Sequence, residues 1–352
     1  MIHSVRLQNF RSYSNESFEF EPGVNIVVGP NASGKTNLLE AILLLSQGSS
    51  FRARDADLVS FKARWARLDG SYAGAHSRAV KLDGRSGSLI KEFIIDGRPF
   101  RRLSLERTFP VVLFEPQHLQ LLTRGPEGRR EYLDDLLARS RAGFKSLANA
   151  YKRTLAQRNS LLKKGAAQAH RQLFAWDVRL SELAGQVVAA RAELVEDINK
   201  TIAKTYSQIA RARTRVALAY QSQFAPDRYS TRLLAKLESS AETDLARGFT
   251  AYGPHREDFT VVLNGHPASA VASRGETRSL LLALKVFELA LLEKLRRQKP
   301  IFLLDDVFSE LDSARRKALV ERLSDHQTII TTTDADAVIG YFAKDSQNLI
   351  AL

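Results

Sequence analysis

"GPNASGKT" occupies residues 29–36, directly after the apolar stretch "VNIVV" at 24–28 and directly before "NLLEAILLL" at 37–45. The eight residues satisfy the template Gly-x-x-x-x-Gly-Lys-Ser/Thr. Glycines in such a loop let successive backbone N–H groups turn inward on phosphate oxygens, and the helix that follows adds the positive end of its dipole. Leu38, Ile42 and Leu45 recur at helical spacing, so strand, loop and helix arrive in the order that a phosphate-binding loop requires. On this reading Gly29, Pro30, Asn31, Ala32, Ser33, Gly34 and Asn37 line a nucleotide, Lys35 bridges its terminal phosphates, and the Thr36 hydroxyl ligates magnesium. The fold class is α/β.

A matching half lies near the other end of the chain. "IFLLDD" at 301–306 sets four apolar residues before two acids, which predicts a buried parallel strand delivering Asp305 and Asp306 to the C-terminal edge of the sheet. Asp305 is expected in the magnesium shell, and Asp306 is expected to orient or deprotonate the attacking water. The wider stretch "LLDDVFSELD" at 303–312 gathers four acids in a chain whose formal net charge is +13, so these acids answer to a local cation rather than to the global balance. Only the first two are needed at a metal. Ser309 or Asp312 is expected to cap the helix written in "SARRKALVERL".

Upstream, "VASRGETRSLLLALKVFELALLEKLRR" at 271–297 combines a Ser-x-Gly turn with an amphipathic helix carrying Leu280, Leu284, Phe287 and Leu291 on its apolar face. Taken alone the stretch reads as a capped helix; set between the phosphate loop and the acidic strand, Ser273, the Gly275 backbone and the helix dipole would face one phosphate.

Six stretches then carry a resemblance. They are "LQNFRSY" at 7–13, "GPNASGKTNLLEAI" at 29–42, "GPEGRREYLD" at 125–134, "YGPHRED" at 252–258, "SRGETR" at 273–278 and "LLDDVFSELD". In this order they resemble the RecF family of recombination mediators, in the ATPase branch that also holds the structural-maintenance-of-chromosomes proteins. The resemblance implies an ABC-type P-loop ATPase head, a mixed sheet with flanking helices, carrying an inserted antiparallel helical arm. It implies ATP and Mg2+ as cofactors, slow hydrolysis, and an ATP-dependent homodimer in which Ser273 and Gly275 of one copy complete the nucleotide site of the other. It makes Lys35, Asp306 and Ser273 the catalytic set and brings Arg11 toward a phosphate. Its partners are double-stranded and gapped DNA and a RecR-type mediator that helps place RecA on single strands.

Some positions depart from the family pattern. Ala32 stands where glycine is usual, and Glu276 replaces a glutamine; a carboxylate near the terminal phosphate would slow closure, though at a helix start it also suits the dipole. No switch histidine follows "TIITTTDAD", leaving Thr333 or Asp334 as stand-ins. Gln117 lies in the segment expected to act as a lid, and His255 and Arg256 lie in a Gly-Pro turn.

Between about 127 and 208 strand signals vanish. Phe144, Leu147, Ala148, Tyr151 and Leu155 recur at helical spacing; after "KKGAAQAH" a second stripe runs through Leu173, Trp176, Leu180, Leu183, Val187, Leu194, Ile198 and Ile202. Two such stripes joined by a short turn pack best on each other. The expected division is a head formed by 1–120 and 245–352, with an arm at 121–244. Lys145, Lys152, Arg153, Arg158, Lys163, Lys164 and "RARTR" at 211–215 are expected to meet DNA phosphates, with little sequence information and steep salt dependence.

Composition supports this direction. Lys plus Arg outnumber Asp plus Glu by 52 to 39, which favours polyanions. There is no cysteine, which removes disulfides, thiol nucleophiles and thiolate zinc sites. The N-terminus lacks the apolar core of a signal peptide and no apolar run reaches membrane-spanning length, so the expected location is the cytoplasm, at the nucleoid. Three other classes share parts of the pattern. A transporter ATPase subunit would want a coupling surface and a switch histidine, a small-molecule kinase would not need the "SRGETR" element, and a DNA-defence ATPase would need a separate nuclease.

Overall fold

The structure, a computed structural model, describes residues 1–123, 125–164, 166–308, 310–323, 325–342 and 347–352, with only the backbone of 166–171 and 337. Chain contacts divide it into Met1–Leu119 with Leu281–Leu352, and Gln120–Leu280.

The first unit holds two sheets. Strands β1 (Ile2–Phe10), β2 (Tyr13–Glu19), β4 (Trp65–Tyr72), β5 (His76–Asp83), β6 (Ile90–Ile95) and β7 (Arg98–Phe100) pair antiparallel in the order β2-β1-β4-β5-β6-β7. Alternation is clean in β4, where Ala66, Leu68 and Tyr72 are buried and Trp65, Arg67 and Asp69 are not. The other sheet is wholly parallel, in the order β14-β3-β13-β12-β8, from β3 (Val24–Val28), β8 (Val111–Phe114), β12 (Ile301–Asp305), β13 (Thr328–Thr332) and β14 (Gln347–Ala351). Strands β12 and β13 in its middle and β8 at one edge are buried from end to end, as parallel strands covered on both faces must be. Helix α1 (Lys35–Gln47) packs on strands of both sheets, and one apolar core takes in Leu38, Ile42, Leu68, Val111 and Leu303. The expected mixed sheet is thus realised as two sheets, each pure in direction. Helices α10 (Ser313–Leu323) and α11 (Asp336–Ile339) complete this unit. Asp312 caps α10, its carboxylate accepting from Arg315 N–H at 2.9 Å, while Ser309 lies outside the described residues.

The second unit begins all-helical, with α2 (Pro126–Ser140), α3 (Phe144–Lys163), α4 (Ala166–Asn199) and α5 (Ile202–Ala210). Leu162 meets Leu173 while Tyr151 joins Leu180, Leu183 and Val187, so α3 and α4 run antiparallel as the stripes predict. Gly165, in the expected break, lies outside the described residues. Ile202 does not continue the second stripe, because α4 ends at Asn199 and α5 starts afresh. The remainder was not legible. Helix α6 (Tyr229–Ser239) packs on α4 through Leu233 and Leu237, α7 (Ala241–Arg247) follows, and β9 (Val216–Gln221), β10 (Asp258–Leu263) and β11 (His266–Pro267) form a small antiparallel sheet. Helices α8 (Ala268–Val271) and α9 (Arg274–Arg296) close the segment. The first division lies at 119/120, beside the expected 120/121. The second lies inside α9, at 280/281 rather than at 244/245, because β10 pairs with β9 and draws 245–280 into this unit. No helix among the described residues is long and apolar enough to cross a membrane.

Candidate nucleotide site

The loop 29–34 leaves β3 and enters α1 as expected. Gly34 takes a left-handed φ of 111°, and a Cβ there would lie 2.8 Å from the Tyr13 hydroxyl, which donates to the Gly34 carbonyl at 3.0 Å. Only glycine fits. Ala32, the departure from the usual glycine, also adopts positive φ, 67°, a conformation costing an alanine on the order of 1 kcal/mol. Lys35 is nearly buried, its ammonium donating to the carbonyls of Gly29 and Pro30 at 2.8 and 2.9 Å. Among the described residues the Ser33 hydroxyl, buried in the same loop, has no hydrogen-bond partner. A cation held by neutral carbonyls beside an unsatisfied donor is a cradle that suits an anion.

The two sequence halves meet at Thr36. Its hydroxyl lies 3.0 Å from both carboxylate oxygens of Asp305, 269 residues away. Strand β12 delivers Asp305 at its last position, and the parallel neighbour β13 adds Thr331, whose hydroxyl donates to Asp305 at 2.8 Å and accepts from the Asp306 N–H at 3.0 Å. Thr331 is a site residue that sequence reasoning passed over in favour of Thr333 and Asp334. Those two lie exposed beyond the strand, where the Thr332 hydroxyl donates to the Asp334 carbonyl. Asp306 itself has a φ of 52°, and burial, reinforced by Asp305 and opposed by Lys35, raises its carboxyl above the usual range. Such a shift suits a group that takes a proton. Among the described residues no three His, Asp or Glu side chains are grouped to hold a metal, so a cation between Thr36 and Asp305 would need ligand oxygens as well. Gln117 is exposed in the turn after β8.

Arg11 is engaged by protein. Its guanidinium donates to both oxygens of Glu40 at 2.9 Å and to the Asp57 carbonyl at 2.8 Å. Glu40 is fully buried on α1 and also accepts from Arg52 and Ser50. Burial works against its charge, but Arg11, Arg52 and Ser50 together hold its carboxyl below the ordinary range. Arg52 also donates to Asn37 at 2.6 Å, so two arginines stand on one carboxylate beside the first turn of α1. Neither Glu40 nor Arg52 was found in the sequence, because neither falls within the motif.

The start of α9 takes the capped form that the stretch has when read alone. The Ser273 N–H and hydroxyl both donate to the Glu276 carboxylate at 2.8 Å, and the Glu276 N–H donates back to the Ser273 hydroxyl at 3.2 Å. This is a capping box. Glu276 is therefore spent at the helix start rather than left toward a phosphate, and Gly275 sits in the first helical turn rather than in a preceding loop.

A family model described as the RecF/RecN/SMC N-terminal domain matches residues 1–341. The chain belongs to the RecF family. The DNA replication and repair protein RecF of Heliobacterium modesticaldum is 37% identical over 348 residues, 96% of this chain and 93% of that protein. A solved structure of the recombination mediator protein RecF-ATPrS in the RecFOR pathway is 30% identical, covers 96% of this chain and 94% of its own, and superposes with a TM-score of 0.87. An SMC head bound to the C-terminal winged-helix domain of ScpA shares the fold, with a TM-score of 0.54 at 16% identity over 97% of this chain and 91% of its own.

The "YGPHRED" segment of this RecF-family chain turns out to be a joint within the second unit. The Pro254 carbonyl accepts from Arg191 at 2.8 Å, the His255 ring meets the Tyr151 hydroxyl at 2.6 Å, and Asp258 pairs with Arg129 at 2.6 Å. Buried Glu257 accepts from the Tyr220 and Tyr229 hydroxyls at 2.7 Å and from the Gln223 N–H at 2.9 Å. Arg256 stands over the Phe249 ring. Arg158, expected at a DNA-facing surface, is fully buried between Asp177 and Asp244 at 2.5 and 2.7 Å. Lys145, Lys152, Arg153, Lys163, Lys164, Arg211, Arg213 and Arg215 are exposed.

Proposed function

We propose that this chain is an ATP-gated DNA-binding protein of recombinational repair, working as a homodimer that closes on ATP. The observation that carries the reading is the meeting of Thr36 with Asp305 at 3.0 Å, with Lys35 and Asp306 alongside. The residues fit a magnesium nucleotide: among the described residues Ser33 holds a buried hydroxyl without a partner, and Lys35 donates to loop carbonyls that it can release. Bound magnesium supplies positive charge against phosphate oxygens. Lys35 leaves Gly29 and Pro30 for the terminal phosphates, Thr36 and Asp305 hold the metal shell, and Asp306 orients the attacking water and accepts its proton. Ser273 and Gly275, at the exposed start of α9, complete the nucleotide site of a second copy. Hydrolysis is slow and serves as a timer.

The exposed cations of α3 and of the 211–215 loop take duplex phosphates next to a gap. With a RecR-type mediator, the ATP-bound dimer promotes loading of RecA. Names of the relatives, DNA replication and repair protein RecF and recombination mediator protein RecF-ATPrS, support this reading, as does the +13 charge. The cytoplasm at the nucleoid is the matching location.

The test is mass in solution by light scattering with ATP, ADP or no nucleotide, each with and without gapped duplex. We expect dimers with ATP alone and larger complexes when gapped duplex is added. Ser273→Arg should bind ATP as a monomer and stay a monomer. Dimerisation of that variant, or a parent chain indifferent to ATP, would refute the composite site.

A further inference from the structure

Phe61 is 108% exposed, against 36–59% for the other exposed large apolar side chains among the described residues. Its place in the backbone explains why. Ser60 to Ala63 form a turn closed by the Ala63 N–H donating to the Ser60 carbonyl at 2.9 Å, and Phe61 and Lys62 occupy the two corners. Such corners usually take Gly, Pro, Asn, Asp or Ser, each for a backbone reason that phenylalanine does not share. Here the ring buries nothing and contributes nothing to the core.

The turn is also held firmly. The Ser60 N–H donates to the Asn9 carbonyl at 2.8 Å, Val59 bridges to Phe10, and the Gly84 N–H donates to the Arg64 carbonyl at 2.8 Å. The ring is therefore presented on a fixed mount, and a contact made there costs little ordering.

Charge around the ring is one-sided. Lys62 and Arg64 are exposed with no ion-pair partner among the described residues, whereas Arg85 and Lys91 on the adjoining hairpin are matched by Asp83 and Asp55. Val59, Ala63 and Trp65 beside the ring are half-buried and Ser60, Lys62 and Arg64 are polar, so the ring has little of the exposed apolar surround that forms the core of a protein interface. It has what strand binding needs: an aromatic face beside uncompensated cations.

We propose that the Ser60–Ala63 turn contacts single-stranded nucleic acid, Phe61 stacking on an unpaired base while Lys62 and Arg64 take the flanking phosphates. A continuous duplex hides its base faces, so the ring finds its partner only where bases are unpaired, as inside a gap. The proposal rests on the DNA-binding reading above and adds a strand-selective contact to it.

Anisotropy titrations of the full chain with ATP would use three labelled probes: an oligo(dT) strand, a gapped duplex and a blunt duplex. Phe61→Ala is expected to weaken binding of the strand and the gapped duplex about tenfold, on the order of one lost stack, and to leave the blunt duplex unchanged. Phe61→Trp keeps parent affinity. Lys62→Gln with Arg64→Gln lowers the salt slope on oligo(dT) by about 1.4, for two phosphates. Equal binding of oligo(dT) by Phe61→Ala and the parent overturns the proposal, and so does an equal loss on strand and blunt duplex. A loss seen only in capture of a protein partner overturns it too. A parent chain that binds none of the three probes overturns the DNA-binding reading along with it.

Discussion

Lys35 and Arg158 are both cations withdrawn from water, 5% and 0% exposed, and the chain partners them in opposite ways, although among the described residues the Arg158 Nη2 has no hydrogen-bond partner. Lys35 has two neutral carbonyls and, among the described residues, no carboxylate within ion-pair distance. Arg158 has Asp177, Asp244 and the Thr250 hydroxyl, with Asn159 in turn accepting from Thr250. Carbonyl partners leave the ammonium without a directly paired carboxylate, Asp306 acting on it only at longer range, so a phosphate can displace them with a gain. Carboxylate partners cancel the guanidinium charge, so an incoming anion would have to break an existing pair in low dielectric. A buried cation left uncompensated is poised for a ligand; a compensated one holds structure.

Removing each cation tests that contrast, and the largest effect belongs to the nucleotide site. Lys35→Ala should abolish binding of a fluorescent ATP analogue while the unfolding free energy changes by no more than about 2 kcal/mol. Arg158→Met should do the reverse: nucleotide binding by the folded fraction persists, while urea unfolding shows a loss of about 3–5 kcal/mol, because Asp177 and Asp244 are left buried without their counter-charge. If Lys35→Ala destabilises the protein as much as Arg158→Met does, the distinction between the two kinds of burial collapses.

The same contrast explains what could be read in advance. A phosphate loop demands particular residue types at fixed spacing, so "GPNASGKT" and "IFLLDD" announce Lys35, Thr36, Asp305 and Asp306 although tertiary folding alone brings them together. Arg158 sits in a basic run, and nothing local separates a solvated arginine from a buried one. Its status depends on Asp177 and Asp244, 19 and 86 residues further on. Glu257 likewise depends on Tyr220 and Tyr229, which no motif links to it. The helical stripes disclosed the pairing of α3 with α4, whereas Tyr229, Leu233 and Leu237 of α6 recur every four residues over only three turns, and that period does not say that α4 is the partner. Ser273 teaches a different lesson. Read alone, the stretch around Ser273 is a capped helix, and the cap is what the structure holds, whereas the phosphate role rests on the resemblance.

The joint in the second unit carries a smaller, pH-dependent effect. The Thr250 carbonyl can only accept, so the His255 Nε2 at 3.1 Å must carry the proton, and Nδ1 of the neutral ring is left to accept from the Tyr151 hydroxyl. Protonating Nδ1 would replace that acceptor with a donor. Burial, against the pull of the Thr250 carbonyl and with Arg256 and Arg130 adding repulsion, lowers the His255 pKa to about 4 from an ordinary 6.5. Between those values the unfolded chain binds the extra proton and the folded chain does not. The contribution to stability is therefore complete above pH 6.5 and falls as the pH drops toward 4, by up to about 1.4 kcal/mol per pH unit. His255→Gln cannot titrate, so the stability gap between parent and variant should narrow from pH 7.5 to pH 5, with carboxylate effects common to both. A gap that stays constant over that range would mean that His255 is already charged in the folded state or is open to water, and the joint would then be no more closed to solvent than the nucleotide loop.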